Sequence, residues 1–337
     1  MKISHNSSLK KYNTFGIDVK AKTFISVETV DDLKSVLQNT YARDLFILGG
    51  GSNMLLTRDI DSTVLHINLK GRQVISETEN EVFIEINAGE NWHEIVLWTL
   101  ENNWGGFENL SLIPGNIGTA PIQNIGAYGT EIKDTLVSVK TIDVQTLQIK
   151  EFSNEACNFA YRDSIFKNEL KGKHIIISVT FKLTKNKHLV RTNYGTIAHE
   201  LKEMGITEAS IKDVSNAVIK IRSEKLPNPE ELGNSGSFFK NPIIKSDHLI
   251  KLKDLYPNIP SYEVGENEFK IPAGWLIEHA GLKGYREGDA GVHQKQALVL
   301  VNYGAATGNE ILNLAKKVQQ EVYEKYQIAL QPEVNIF

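Results

Sequence analysis

Residues 105–130 read G-G-F-E-N-L-S-L-I-P-G-N-I-G-T-A-P-I-Q-N-I-G-A-Y-G-T, a run with six glycines, two prolines and no lysine or arginine. Glycine accepts φ > 0 and lets a ligand come close to the main chain, while Pro114 and Pro121 fix their own φ and restrict the residue before them. Such a run presents backbone N–H groups on a surface of set shape, and amides that converge bind anions without a basic side chain. A second segment of this character lies upstream, where the strand-like residues 45–48 enter Gly49, Gly50, Gly51, Ser52 and Asn53. Gly49 and Gly51 fit the G-x-G-x-x-G dinucleotide fingerprint, but Met54 holds its third glycine position, and no Gly-Lys-Ser/Thr follows to make a P-loop. Alone, residues 49–51 more often make a plain strand-to-strand turn. Two such loops, each flanked by strand-like sequence, suit a dinucleotide whose diphosphate lies across both.

Three polar clusters are candidates for chemistry. In Tyr161-Arg162-Asp163-Ser164-Ile165-Phe166-Lys167 charges interrupt an aromatic, apolar context, which by pattern alone is also a surface ion pair at a loop. In Gly233-Asn-Ser-Gly-Ser237-Phe238-Phe239-Lys240-Asn241-Pro242 small residues lead to a serine followed by two aromatics. A serine nucleophile is disfavoured there, since the G-x-S-x-G elbow is absent. In Gln331-Pro-Glu333-Val-Asn-Ile-Phe337 a carboxylate follows a proline between apolar residues, a pattern that also fits an ordinary tail.

The elements that would position these clusters alternate. Residues 23–27, 45–48, 64–69 and 82–87 read as strands, and 31–38 and 90–102 as helices with apolar residues on one face. Residues 136–144, 148–152 and 175–183 read as strands of a second α/β unit. Ser210-Ile-Lys-Asp213 resembles a capping box, opening a helix whose stripe is Ile211, Val214, Val218 and Ile221. Residues 226–233, Leu-Pro-Asn-Pro-Glu-Glu-Leu-Gly, read as a boundary. Beyond it we expect a Ser246-capped helix, a helix with Pro272 in its first turn, a strand at 297–301, and a helix opened by Thr307 and Glu310.

Composition excludes several classes. At 337 residues the chain is long enough for two or three domains. A net charge of -4 and a pI near 6.2 argue against a general nucleic-acid binder. No stretch reaches the roughly 18 apolar residues of a membrane span, and residues 1–8 hold no signal-peptide core, so the cytoplasm is expected. The single cysteine, Cys157, excludes an internal disulfide and reads as a buried structural thiol. The nine scattered histidines make no ligand pair, so no metal is expected.

In order along the chain, Asn13-Thr-Phe-Gly-Ile, Leu48-Gly-Gly-Gly-Ser-Asn, Ile113-Pro-Gly-Asn-Ile-Gly-Thr-Ala-Pro-Ile-Gln-Asn-Ile-Gly-Ala-Tyr-Gly129, Tyr161-Arg-Asp-Ser-Ile-Phe-Lys167, Gly236-Ser-Phe-Phe-Lys-Asn-Pro242 and Pro332-Glu-Val334 resemble the motif series of the UDP-N-acetylenolpyruvoylglucosamine reductases. Tyr194 in Arg-Thr-Asn-Tyr-Gly195 resembles the branch that closes a tyrosine-bearing loop over its substrate. The resemblance implies an α+β chain: two α/β subdomains forming a vanillyl-alcohol-oxidase-type (PCMH-type) FAD-binding unit, plus a C-terminal α/β substrate domain. The expected limits are 1–70, completed by 326–337, then 71–226, then 227–325.

The resemblance also implies an NADPH-oxidising, FAD-dependent reductase of peptidoglycan precursor synthesis, acting as a monomer on a sugar nucleotide, UDP-N-acetylglucosamine enolpyruvate. FAD would be held noncovalently by Gly49, Gly50, Gly51, Ser52, Asn53, Pro114, Gly115, Gly118, Ala120, Asn124, Gly126, Ala127 and Tyr128. Hydride from flavin N5 would build charge into the substrate carboxylate. Arg162 matches the arginine that would hold that carboxylate with a bidentate fork, Ser237 the serine that would deliver a proton to the α-carbon, and Glu333 the glutamate beside the carboxylate. Tyr194, Lys225, Asn241 and Gln296 match positions that contact the UDP portion, and Tyr128 and Arg222 are expected near the flavin or substrate. An alcohol oxidase of the same fold and a flavin binder without turnover are the rival readings. The first has no evident use for Ser237 and Glu333.

Overall fold

Apolar alternation at residues 23–27 belongs to the strand Lys20–Val27, which runs parallel to Ile60–Ile67 with Phe24 opposite Val64. Parallel neighbours need a long crossover, and the helix Val30–Asn39 supplies part of it. Leu33, Val36 and Leu37 form its buried stripe, and the Thr29 side chain caps it by accepting the Asp32 N–H at 3.0 Å. Leu45–Leu48 pairs in parallel with the far side of Ile60–Ile67, and Lys2–Ser8 borders Lys20–Val27 to close a four-stranded sheet. Residues 49–51 therefore begin where a parallel strand ends, of which Leu48 alone is buried and Ile47 is exposed.

Five antiparallel strands make a second sheet in the order Ile149–Ser153, Leu136–Asp143, His174–Thr184, Glu81–Asn87, Arg72–Glu77. Val82, Ile84 and Ile86 alternate into a core shared with Val139, Val179 and Phe181. The helix Trp92–Glu101 joins that core. Its Trp92 ring lies 4.9 Å from Phe107, which lies 5.0 Å from Phe181, and the Trp92 Nε1–H donates to the Leu110 carbonyl at 2.9 Å. A buried indole needs such an acceptor, and here it ties the start of the glycine-rich segment to the sheet.

A computed structural model describes residues 1–337. The elements above belong to one compact unit, residues 1–7, 21–50 and 60–222; residues 8–20, 51–59 and 223–337 make a second. In the second unit Gly233–Ser237, Val299–Asn302, Ala290–Val292 and Arg286–Glu287 form an antiparallel sheet, and Ile243–Lys245, Glu268–Lys270 and Tyr262–Gly265 a smaller one. Met54–Leu55 pairs in parallel with Asn335–Ile336. Asn302 Nδ2 donates to the Phe15 carbonyl at 3.0 Å, and the Asn234 N–H to the Thr14 carbonyl at 2.9 Å, which stitches the early stretch to the late one.

Helix starts follow the chemistry of their caps. Thr307 and Glu310 bond each other's main chain at the head of Gly308–Tyr326, and Ser210 and Asp213 do so at the head of Ile211–Lys225. Two expectations are corrected. Ser246 is the first residue of the helix Ser246–Leu255 and Lys245 stands at its cap without a side-chain bond; Pro272 is the cap residue of Ala273–His279 rather than part of its first turn.

Candidate active site

The two glycine-rich loops meet within the first unit, and glycine is required for them to do so. A Cβ on Gly49 would overlap the Thr119 side chain, and one on Gly50 would stand 2.8 Å from Asn116 Oδ1 and 3.0 Å from the Gly115 Cα. Gly118, in the short helix Ile117–Gln123, donates its N–H to the Ala88 carbonyl at 2.9 Å, and a Cβ there would lie 2.5 Å from that of Ala88. Gly115 itself has φ +121°. These glycines serve close packing of one main chain on another, and the result is a fixed surface. Gly50 lies beyond the last pair of the parallel ladder, Leu48 with His66.

Arg162 sits at the tip of a tight turn in which Ala160 and Asp163 exchange both main-chain bonds, at 3.1 and 3.2 Å. Its φ of +55° belongs to a turn position normally filled by Gly or Asn. An arginine there costs of order 1 kcal/mol and persists only where neighbours over-determine it. Three contacts do so. Arg162 Nη2 donates to the Gly126 carbonyl at 2.8 Å, Ser164 Oγ to the Ile122 carbonyl at 2.8 Å, and Asn124 Nδ2 to the Ala160 carbonyl at 3.0 Å. Asn124, itself at φ +45°, spends its other bonds on Glu131 and on the Lys133 N–H. Its side chain is thus a buried tie between the turn and the glycine-rich segment. A Cβ on Gly126 would lie 3.2 Å from Arg162 Nη1. The buried Cys157 accepts the Ile165 N–H at 3.0 Å, and burial pushes its thiol up to about 12, the value of an inert thiol.

Arg222, from the helix Ile211–Lys225, brings a second guanidinium to this unit. Its Nε donates to the Leu112 carbonyl at 3.3 Å, and it hydrogen-bonds the Tyr128 hydroxyl. Burial lowers its pKa, Tyr128 opposes that shift, and the like charge of Arg162 adds to it. No carboxylate meets it. Burial likewise raises the Tyr128 phenol, while Arg222 pulls it down. Tyr194, exposed at the head of the helix Gly195–Glu203, packs edge-on to Tyr128 with ring centres 5.5 Å apart.

In the second unit, Ser237 closes the strand Gly233–Ser237. Between Asn234 and Ser237 the register with Val299–Asn302 slips by one residue, a bulge containing Gly236 at φ +67°. Bulges re-aim side chains, and this one follows Ser235, whose Oγ holds the Met54 carbonyl at 3.2 Å, and precedes Phe238 and Phe239, both fully buried. The tail runs alongside. Glu333 donates its N–H to the Phe238 carbonyl at 2.8 Å, and Lys240 donates to Gln331 at 2.9 Å. Asn53 clamps the same tail: its Nδ2 donates to the Glu333 carbonyl at 3.3 Å and its carbonyl accepts from Asn335. Gly51, at φ +63°, accepts the Thr14 N–H at 3.1 Å and has Tyr12 where a side chain would go. Ser237, Glu333, Asn53 and Gly51 are thereby brought together.

Asn241 and Gln296 meet at the start of the helix Ala273–His279. Asn241 Oδ1 accepts the Ala273 N–H at 2.9 Å, and Gln296 Oε1 lies where a Cβ on Gly274 would be 2.9 Å away. Gln296 Oε1 also accepts the Leu298 N–H at 3.4 Å, so both side-chain carbonyls are engaged. Lys225 is exposed at the end of its helix.

Residues 228–337 match the model of the UDP-N-acetylenolpyruvoylglucosamine reductase C-terminal domain, and residues 21–150 an FAD binding domain. The chain is 59% identical over 336 residues to the UDP-N-acetylenolpyruvoylglucosamine reductase of Flavobacterium johnsoniae, with all of both chains covered. It is 47% identical to that of Pseudomonas putida, covering 98% of this chain and 97% of that one. The chain belongs to the UDP-N-acetylenolpyruvoylglucosamine reductase family. The reductase of Thermus caldophilus shares its fold, with a TM-score of 0.70 at 23% identity over 100% of this chain and 99% of that one. So does p-cresol methylhydroxylase, at 0.50 and 11% over 97% and 84%, which makes the fold mixed α and β with a PCMH-type FAD-binding part. As a member of this reductase family with an FAD binding domain, the protein is a flavin-dependent oxidoreductase.

The residues present fit an FAD. One feature asks for a ligand: the buried Thr130 Oγ, which has no partner in the chain. At Arg222 a buried guanidinium beside the like charge of Arg162 suits an anion. The sequence motifs mark most of the residues described above but not His93 and Leu112, whose bond holds the glycine-rich segment. His93 lies two residues past the helix cap Asn91 and carries no motif of its own. No helix is long and apolar enough to cross a membrane.

Proposed function

We propose that the protein reduces the enolpyruvyl ether of UDP-N-acetylglucosamine to UDP-N-acetylmuramate, taking its electrons from NADPH through noncovalently bound FAD. Bound FAD supplies the hydride chemistry, and the chain supplies placement and electrostatics. The seat of Arg162 carries this reading: a strained arginine, over-determined by three contacts, is anchored through one nitrogen to the Gly126 carbonyl. Arg162 holds the substrate carboxylate, and its grip strengthens as charge develops there. Ser237 gives its hydroxyl proton to the α-carbon, which is basic enough at that moment to take it from an alcohol within reach. Glu333 faces the carboxylate with a hydrogen bond or a proton. Tyr194, Lys225, Asn241 and Gln296 bind the UDP portion. We further assign residues 1–70 and 71–226 to the flavin and 227–325 to the sugar nucleotide, and expect a cytoplasmic monomer.

Steady-state NADPH oxidation by the FAD-loaded protein, with and without UDP-N-acetylglucosamine enolpyruvate, tests the reading. Oxidation that depends on the sugar nucleotide supports it. Oxidation that needs an alcohol and oxygen identifies an oxidase, and a yellow protein with no turnover under either condition identifies a binder; both overturn it.

A further inference from the structure

Leu112 is an unusual residue for the conformation it holds. It has φ +57°, which leucine rarely adopts, and both of its main-chain polar groups are taken by side chains from elsewhere. Its N–H donates to His93 Nδ1 at 3.0 Å, and its carbonyl accepts Arg222 Nε at 3.3 Å. Its neighbour Ser111 is tied to the same helix as Arg222, through a 2.7 Å bond to Ser215. Just downstream, the Gly115 carbonyl accepts the Trp92 N–H at 3.0 Å, one residue before His93. The segment that enters Pro114 and Gly115 is therefore hung from two helix faces.

We propose that His93 is a positioning residue for the flavin site: as a neutral imidazole it clamps Leu112 in the left-handed conformation and lets Arg222 reach both Leu112 and Tyr128. This rests on the flavin reading of residues 114–128. His93 accepts at Nδ1, so its single proton is on Nε2. A proton added at Nδ1 removes the only acceptor of the Leu112 N–H and sets a second cation beside Arg222. The charged groups that face His93 are Arg222, from the helix Ile211–Lys225, and Glu94, on its own helix. Burial and Arg222 both lower its pKa, which keeps it neutral at physiological pH.

The test is FAD affinity, followed by flavin fluorescence on the full chain at pH 7.5 and 5.5. Wild type should bind FAD at pH 7.5 and weaken on the order of tenfold at 5.5. His93→Asn, whose Oδ1 can take the place of Nδ1 and which does not titrate, should bind within about threefold of wild type at pH 7.5 and stay flat between the two. His93→Leu should be weak at both. Should His93→Leu fail to fold, His93→Asn decides: a pH response equal to that of wild type overturns the clamp, as does a His93→Leu protein that binds like wild type. A wild-type protein that takes up no FAD at pH 7.5 overturns the flavin reading, and the clamp with it.

Discussion

The main-chain N–H of Glu333 donates to the carbonyl of Phe238 at 2.8 Å. Two motifs far apart in sequence are thereby laid side by side, and the residue next to Phe238 is Ser237. The pairing is anchored by Phe238 and Phe239, whose rings are fully buried and 5.0 Å apart, and by the Asn53 clamp on the Glu333 carbonyl. Ser237 and Glu333 are held by main-chain bonds instead of by flexible loops, as the proposed proton donor and its electrostatic partner require.

Ser237→Ala should leave reduction of the flavin by NADPH nearly intact and slow the second half-reaction by about 10²- to 10⁴-fold. Rapid-mixing absorbance at the flavin band separates the two halves. Equal losses in both would make Ser237 a structural residue.

Arg162→Lys keeps the charge and the turn but cannot form a fork, so kcat for the sugar nucleotide should fall by about 10²- to 10³-fold. Its thermal midpoint should fall only modestly, because the turn keeps its Ser164 and Asn124 ties and loses the Nη2 bond to Gly126. Wild-type turnover in this variant removes Arg162 from the chemistry.

Asn124→Ala takes one donor each from the Ala160 carbonyl and Glu131 and the acceptor from the Lys133 N–H, and the site is buried. We expect about 2–4 kcal/mol of lost stability in urea unfolding, with substrate reduction impaired because the Arg162 turn loses its tie. A variant as stable as wild type contradicts the assigned role.

Gly50→Ala forces a Cβ against Asn116 and the Gly115 main chain, at 2.8 and 3.0 Å. The loops should part at a cost of about 1–3 kcal/mol, and purified protein should carry less flavin, read from the absorbance ratio of flavin to protein. Undiminished flavin content would show that the contact between the loops does not shape the site.

His66, His93, His174 and His293 all have pKa values lowered from 6.5, in each case mainly by burial. Their unfolded forms take up protons first, so the stability they contribute is fully present above pH 6.5 and is lost as pH falls through their folded values. Thermal midpoints should drop between pH 7 and 5.5, before the carboxylates titrate. A flat profile over that range would mean the imidazoles protonate freely in the folded protein.

Periodicity made the interior elements legible, since Leu33, Val36 and Leu37, or Val82, Ile84 and Ile86, each put their apolar groups on one side. Arg72–Glu77 escaped because every residue of it is exposed, so no alternation marks it, and Lys2–Ser8 is exposed along nearly all its length. The catalytic candidates were legible through ordered motifs. Their supports were not: the Asn53 clamp, the Asn124 tie and the His93 contact depend on pairings between distant segments. The glycines carried a mixed message. Pattern alone suggested room for a ligand, whereas at Gly49, Gly50 and Gly118 the room is already filled by Thr119, Asn116 and Ala88 of the same chain.

Because the second unit draws on residues 8–20, 51–59 and 223–337, its early pieces leave the ribosome long before their partners exist. Phe15 must wait for Asn302, and Met54 for Asn335. The first unit can close once residue 222 has emerged, with both early stretches held out as unpaired loops. Synthesis thus delays Glu333, and with it the tail strand that pairs with Met54–Leu55, until the first unit can already have closed.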